Sequence, residues 1–119
     1  MMPTIQIRPA TIDDAELVFA LINELAVYEK LEHEVVATLE MSRESIFGSN
    51  SCTDVLIAEL DGEPAGFAIF FVTYSTFLGR QGIYLEDIYV REALRGQGIG
   101  KRLLAGVARV AVERQCGRL

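Results

Sequence analysis

Residues 84–104 read YLEDIYVREALRGQGIGKRLL, and this stretch indicates the fold of the chain. Aromatic and branched side chains predict a strand over Ile83–Val90, and the pattern that follows predicts a helix over Lys101–Gln115. The connection between them, Arg91–Gly100, carries three glycines. A strand that leads through a glycine-rich turn into a helix is typical of phosphate-binding sites.

The turn has the physical properties of a pyrophosphate cradle. Backbone N–H groups at a helix start have no partner within the helix, and the helix dipole adds partial positive charge there. Glycines let these groups approach a phosphate closely. Arg95, Lys101 and Arg102 add formal positive charge in a chain whose net charge is −6. The alternative is a glycine-rich turn that caps the helix and binds no ligand.

The glycine spacing excludes two familiar nucleotide-binding motifs. Starting the dinucleotide motif G-x-G-x-x-G at Gly96 puts Lys101 at the third glycine position. In the P-loop G-x-x-x-x-G-K-[ST], four residues separate the glycines, whereas only three separate Gly96 from Gly100. Arg102 also stands where the P-loop needs a hydroxyl side chain. The cradle is therefore of another kind.

Alternation, helical spacing and turn signals predict the elements outside this stretch. The other expected strands are Thr4–Arg8, Val55–Leu60 and Ala65–Thr73, joined across Asp61-Gly62 by a tight hairpin turn. The other expected helices are Asp13–Lys30, with Thr11 as its N-cap, and Thr38–Ile46. Ser75–Gln81 reads as a loop, and the expected core face of the last helix is Leu104, Val107, Ala108 and Val112. This order predicts an antiparallel α/β sheet flanked by helices.

The bulk composition narrows the class of protein. A chain of 119 residues, half of them apolar, suffices for one domain with a core. The acidic net charge argues against nucleic acid as a partner. His33, Cys52 and Cys116 form no metal-ligand pattern, so we expect no metal site. The sequence shows no signal-peptide pattern and no membrane-spanning run, and two thiols fit a reducing compartment; we therefore expect a cytoplasmic protein without a membrane partner.

The turn resembles the cofactor motif of the GNAT acetyltransferases. Arg95-Gly96-Gln97-Gly98-Ile99-Gly100 matches the signature R/Q-x-x-G-x-G/A. More narrowly, Leu25-Ala26-Val27-Tyr28-Glu29-Lys30 and Tyr84-Leu85-Glu86-Asp87 resemble the diamine subfamily, which includes spermidine/spermine and thialysine N-acetyltransferases. The resemblance covers essentially the whole chain. It implies the GNAT α/β fold, with acetyl-CoA as co-substrate.

The resemblance also implies which residues bind the two substrates. The pantetheine arm would hydrogen-bond to the fourth strand at Ile88, Tyr89 and Val90. The pyrophosphate would lie on Arg95, Gly96, Gln97, Gly98, Ile99, Gly100 and Lys101. Tyr28, Glu29 and Glu86 would line the amine site, and Glu86 would take the proton of the amine, through water. The implied reaction is acetylation of a primary amine on a small cationic molecule by direct attack, the acceptor being a polyamine, a diamine or a lysine-like amino acid.

Elementary chemistry supports a carboxylate in that role. An alkylammonium with a pKa of about 10 cannot attack a thioester until it loses a proton. A carboxylate beside the thioester attracts the cation and can relay the proton. The alternatives are an exposed strand acid at Glu86 and a surface helix end at Tyr28 and Glu29. His33, Cys52 and Cys116 have no sequence partner that suggests catalysis.

Two departures from the resemblance bear on function. Family members continue past the last helix into a fifth strand and a segment whose tyrosine protonates the CoA thiolate. We therefore expect residues 1–119 to form a single N-acetyltransferase domain that is incomplete at its C-terminus. The segment Thr76-Phe77-Leu78 also lacks the acid of the polyamine pattern. The rival hypotheses are a catalytically incompetent fragment that binds CoA and a fragment that pairs through its fourth strand with another chain. The sequence leaves open whether the protein forms a homodimer.

Overall fold

The computed structural model describes residues 2–119 and confirms the expected order of elements. The strands are β1 (Ile5–Pro9), β2 (Thr53–Leu60), β3 (Glu63–Ser75) and β4 (Arg80–Val90). The helices are α1 (Ala15–Tyr28), α2 (Leu39–Phe47) and α3 (Ile99–Glu113). Short 3-10 turns lie at Ile12–Asp14, Glu32–Glu34 and Glu92–Leu94. No helix within residues 2–119 is long and apolar enough to cross a bilayer.

The strands form one antiparallel sheet in the order β1-β2-β3-β4, which confirms the predicted α/β class. The Asp61-Gly62 turn is also confirmed, because both residues have positive φ, 51° and 84°. Positive φ at both central positions matches the twist of the flanking strands. β4 lies at one edge of the sheet. Residues 117–118 hydrogen-bond to Gln81 and Ile83 on its outer side, so the stretch after Ile83 is the part available to a ligand or to another strand.

A β-bulge interrupts β4 at Glu86. Ile69 of β3 lies opposite Asp87, and the next β3 residue, Phe70, lies opposite Leu85. Glu86 is thus an extra residue without a partner on β3. Bulges bend a strand and change the direction of a side chain, and they are frequent beside active sites.

The sheet buries a separate cluster on each face. On the α3 side the core includes Leu56, Ala68, Phe70, Ile83, Ile99, Leu103, Val107 and Ala111. On the α1 side it includes Val18, Leu21, Val55, Ile57, Phe67 and Tyr89. The side chains of β4 therefore divide between the faces, with Ile83 and Leu85 toward α3 and Tyr89 toward α1.

The predicted core face of α3 was wrong in three of its four residues. The helix buries Ile99, Leu103, Val107 and Ala111, whereas Leu104 is 46% and Val112 76% exposed; Ala108 is only partly buried. The helix starts at Ile99, two residues before the predicted start, and ends at Glu113 because Gln115 has a positive φ of 57°. The buried residues follow Ile99 at intervals of four. The spacing of apolar residues alone does not distinguish this stripe from the predicted one.

The first helix is shorter at both ends than the predicted Asp13–Lys30. Its first turn is the 3-10 turn Ile12–Asp14, in which the Thr11 N–H donates to Asp14 Oδ2 at 2.8 Å. Arg8 donates two hydrogen bonds to the same carboxylate, at 2.8 and 2.9 Å, so the helix start is tied to β1. At the other end Lys30 has a φ of 60°, which ends the helix after Tyr28.

The predicted loop Ser75–Gln81 is shorter than expected, because strand occupies both of its ends. β3 continues to Ser75 and β4 begins at Arg80, which leaves a turn at residues 76–79. Pairs such as Thr73 with Gly82 extend the hairpin beyond the reach of β2. Most residues between Ser75 and Gln81 are polar and exposed. The sequence therefore shows no apolar alternation that would have indicated these strand ends.

Candidate active site

A cleft of about 650 Å³ opens where the end of α1, the last residues of β4 and the start of α3 meet. Its walls are Leu25, Tyr28, Leu85, Ile88, Tyr89, Val90, Arg95, Gly96, Gly98, Ile99, Gly100, Lys101 and Leu104. Nine of the ten residues expected to bind the cofactor line this cleft. The tenth, Gln97, turns its side chain back onto the loop, where Nε2 donates to Leu94 O at 3.2 Å.

The start of α3 has the geometry of an anion cradle. Gly98 has a φ of 84° and directly precedes the helix, so it turns the chain from the loop into α3. A Cβ built on Gly98 would meet no heavy atom of the described chain within 4 Å, which means the backbone here faces open space. Lys101 and Arg102 lie exposed in the first turn. Arg102 turns toward β1, where its Nη2 donates to Ile5 O at 3.3 Å, whereas Lys101 lines the cleft. Unpaired N–H groups, the helix dipole and the charge of Lys101 favour a phosphate at this position.

The outer edge of β4 turns backbone groups of Ile88 and Val90 toward the cleft, and the Val90 carbonyl already accepts a hydrogen bond from Arg95 Nε. The Arg91 N–H donates to Ala65 O at 2.8 Å, and Val90 lies opposite Gly66. In an antiparallel pair this pattern turns the N–H and C=O of Val90 away from β3. By the same alternation those of Ile88 also point outward, whereas the backbone of Tyr89 pairs with Phe67. Ile88 and Val90 can therefore bind an extended ligand by strand-like hydrogen bonds, and Tyr89 lines the cleft with its ring.

Arg95 connects the glycine-rich turn to the end of α1. Its Nε donates to Val90 O at 2.9 Å, which agrees with an outward-facing carbonyl. Its guanidinium carbon lies 4.1 Å from the centre of the Tyr28 ring and 5.7 Å from that of Tyr89. The two rings lie 6.4 Å apart. Arg95 thus rests on an aromatic pair, a cation–π arrangement.

Three carboxylates gather at the bulge of β4. Partial burial raises the pKa of Asp87, and the negative charges of Glu86 and Glu29 raise it further. Glu29 and Glu86, both expected in the amine site, are exposed and lie beside the lined walls of the cleft. The sequence interpretation gave Asp87 no role. Its position next to Glu86 was the available signal, but only the fold brings Glu29 from α1 to the same place.

A second group of residues was also missed from sequence. Arg91 donates to both oxygens of Glu24, Nε to Oε1 at 3.0 Å and Nη2 to Oε2 at 2.8 Å. The Tyr89 hydroxyl donates to Glu24 Oε1 at 3.4 Å. Burial raises the pKa of Tyr89, and the charge of Glu24 adds to this rise. Glu24 and Arg91 lie 67 residues apart, which hides the pair in the sequence.

The residues to which the sequence gave no catalytic role lie outside the cleft. His33 is in an exposed 3-10 turn, Cys52 is exposed before β2, and Cys116 packs behind α3. Thr76 and Phe77 are at the tip of the β3–β4 hairpin.

The family model described as "Acetyltransferase (GNAT) family" matches residues 17–119. The chain belongs to the GNAT acetyltransferase family. The match includes α1 from its third residue, the sheet from β2 to β4 and the whole of the cradle. Acetyltransferases of this family use acetyl-CoA, which fits a pyrophosphate cradle beside an edge strand with free backbone groups.

Three comparisons place this GNAT chain among known proteins. It is 40% identical over 126 residues to a thialysine N-epsilon-acetyltransferase of Bos taurus, covering 99% of the chain and 74% of that protein. It is 30% identical to an L-ornithine N5-acetyltransferase of Arabidopsis thaliana, covering 96% and 70%. The crystal structure of a ribosomal-protein-alanine N-acetyltransferase from Brucella melitensis superposes with a TM-score of 0.81 at 25% identity, covering 98% of the chain and 77% of that structure.

Proposed function

We propose that this GNAT chain transfers an acetyl group from acetyl-CoA to a primary amine of a small cationic molecule, a lysine-like amino acid, diamine or polyamine. One observation carries the proposal. The cradle at the start of α3 and the edge of β4 line one cleft, and Glu29, Glu86 and Asp87 directly follow or precede residues of its walls in the chain. An anionic cofactor and a cationic acceptor can therefore bind end to end.

The cofactor half of the site uses backbone groups and cations. The N–H groups around Gly98 and Lys101 suit the pyrophosphate, because they point outward at the helix start. The outward groups of Ile88 and Val90 suit the two amides of pantetheine, which would lie along β4 as an added strand. In this arrangement the thioester end points toward the bulge at Glu86.

The acceptor half uses negative charge. Glu29, Glu86 and Asp87 attract a cationic amine and hold it beside the thioester. Glu86, directly or through one water, takes the proton from the ammonium group. The nitrogen lone pair then attacks the thioester carbonyl carbon and the C–N bond forms. The C–S bond breaks, and the nitrogen gives its second proton, through water, to the departing thiolate, which leaves as the CoA thiol. Cys52 and Cys116 lie away from the cleft, which favours direct attack over an acyl-cysteine route.

The relatives favour an amino-acid acceptor within this class. One is named for N-epsilon acetylation of thialysine and another for N5 acetylation of L-ornithine. The three carboxylates suit a substrate that carries a positive charge at the reacting end. We therefore place lysine-like amino acids first and polyamines second.

Two measurements on the 119-residue chain test the proposal. Calorimetry should show CoA binding, and a thiol-release assay with acetyl-CoA should show turnover with L-ornithine, L-lysine, thialysine or spermidine. L-norleucine, which matches L-lysine without the side-chain amine, serves as the control and should release thiol more slowly at the same concentration. Binding without thiol release from any amine would favour the rival hypothesis of a CoA-binding chain without turnover. Absence of CoA binding would refute both.

A further inference from the structure

Three hydrogen-bond donors converge on the carboxylate of Glu24, between α1 and the end of β4. Arg91 binds both oxygens of Glu24 and also donates from Nη1 to Pro64 O, at the start of β3, at 3.1 Å. The Tyr89 hydroxyl donates to the same carboxylate. A single ion pair thus joins α1 to β4 and, through Pro64, to β3. We refer to Glu24 and Arg91 as the clamp.

The clamp lies directly behind the cleft. Tyr28 follows Glu24 by four residues and so lies on the same face of α1, one turn further on. Val90, with its outward carbonyl, immediately precedes Arg91. The rings of Tyr28 and Tyr89, which support the guanidinium of Arg95, are therefore each adjacent to one member of the clamp.

We infer that Glu24 and Arg91 are positioning residues that hold the acceptor wall and the cofactor wall of the cleft at a fixed separation, and so keep Arg95 of the cofactor turn on the rings of Tyr28 and Tyr89. The inference rests on the proposed function. Its physical basis is the two-pronged geometry, since a bidentate arginine–carboxylate pair fixes orientation as well as distance. Through Tyr89 and Tyr28 that orientation reaches Arg95, which belongs to the cofactor motif but touches neither member of the clamp.

A second ion pair in the chain provides a matched control. Arg114 donates to Asp54 at 2.9 Å, and the two side chains are 40% and 39% exposed, against 35% and 36% for Arg91 and Glu24. This pair joins α3 to β2 and lies outside the cleft. Similar exposure implies a similar, modest effect of each pair on stability.

The test compares CoA binding with stability in the variants Glu24→Gln, Arg91→Gln, Arg91→Lys, the double variant and the control Asp54→Asn. CoA affinity is measured by calorimetry and stability by urea unfolding. We expect each clamp Gln variant to weaken CoA binding by about three- to thirtyfold, the range for residues that act on a site through others. The double variant should lose little more than either single one, because each change breaks the same pair. Arg91→Lys should recover part of the affinity, and Asp54→Asn should bind CoA like the unaltered chain.

Each result bears on the inference in a defined way. Clamp variants that bind CoA as well as Asp54→Asn does would overturn it, and so would losses that add in the double variant. If a Gln variant fails to fold, Arg91→Lys still decides, because it keeps the charge and loses the two-pronged geometry. If the unaltered chain binds no CoA, the proposed function fails, and the clamp inference fails with it. If the unaltered chain binds and the variants bind equally, only the clamp inference fails.

Discussion

Gly98→Ala tests the cradle most directly, because the chain contains a matched control at Gly62. Both glycines have a φ of 84°, and a Cβ at either would meet no heavy atom of residues 2–119 within 4 Å. Alanine should therefore be strained by the left-handed backbone alone, by about 1–2 kcal/mol at each position. Gly62 lies in the β2–β3 turn, whereas Gly98 lines the cleft.

The two variants should lose similar stability and differ in binding. The new methyl group at residue 98 would stand in the space through which a phosphate approaches the N–H groups of α3. We expect CoA affinity to fall about tenfold or more in Gly98→Ala, which corresponds to about 1.4 kcal/mol, and to stay unchanged in Gly62→Ala. Urea unfolding measures the loss of stability, and calorimetry measures the CoA affinity. Equal CoA affinity in the two folded variants would refute the cradle assignment.

Three further substitutions test the acids of the chain. Glu86→Gln should lower kcat/KM about a hundred- to ten-thousandfold at neutral pH, and kcat/KM should recover as rising pH supplies neutral amine. A near-normal pH–rate profile would show that Glu86 is not the base. The hydrogen bonds from Arg8 lower the pKa of Asp14 to about 2 from 3.8, so its stabilisation is complete above about pH 4 and lost as the pH falls through about 2. Asp14→Asn should therefore lower the free energy of unfolding by about 1–2 kcal/mol at pH 7 and by little near pH 2, as urea unfolding at both pH values would show. Because burial and the charges of Glu86 and Glu29 raise the pKa of Asp87, its carboxylate destabilises the fold above that pKa. Asp87→Asn should stabilise the chain at neutral pH and lose this advantage in acid, while the KM for the amine rises; a variant less stable than the unaltered chain at pH 7 would contradict this.

Local rules were enough to locate the cofactor turn and the order of the elements. The glycine spacing at Gly96, Gly98 and Gly100 predicts close backbone approach because glycine alone adopts positive φ without strain. The Asp61-Gly62 turn follows from the same conformational preference. Gly96 and Gly98 have the expected positive φ, whereas Gly100 lies within α3. Such features depend on a few adjacent residues, so no knowledge of distant contacts is needed to predict them.

The ends of the elements depended on neighbours in space. The sequence correctly placed Thr11 at the helix start. It did not show the 3-10 form of that turn, in which Asp14 accepts two hydrogen bonds from Arg8 of β1. The buried face of α3 follows from how the helix lies on the sheet, which leaves Leu104 beside the cleft rather than in the core. A helical pattern shows which residues are apolar, but not which stripe the sheet will cover.

Much of the acceptor side of the site arises from pairing over long sequence distances. The bulge that isolates Glu86 depends on the register between β3 and β4, and a register is a property of two strands together. Glu29 acts on Asp87, Arg95 rests on Tyr28, and Glu24 binds Arg91, each across more than fifty residues. Composition and spacing predict the chemistry of each side chain. Which side chains meet depends on loop closure and core packing, and these interactions are set by the whole fold.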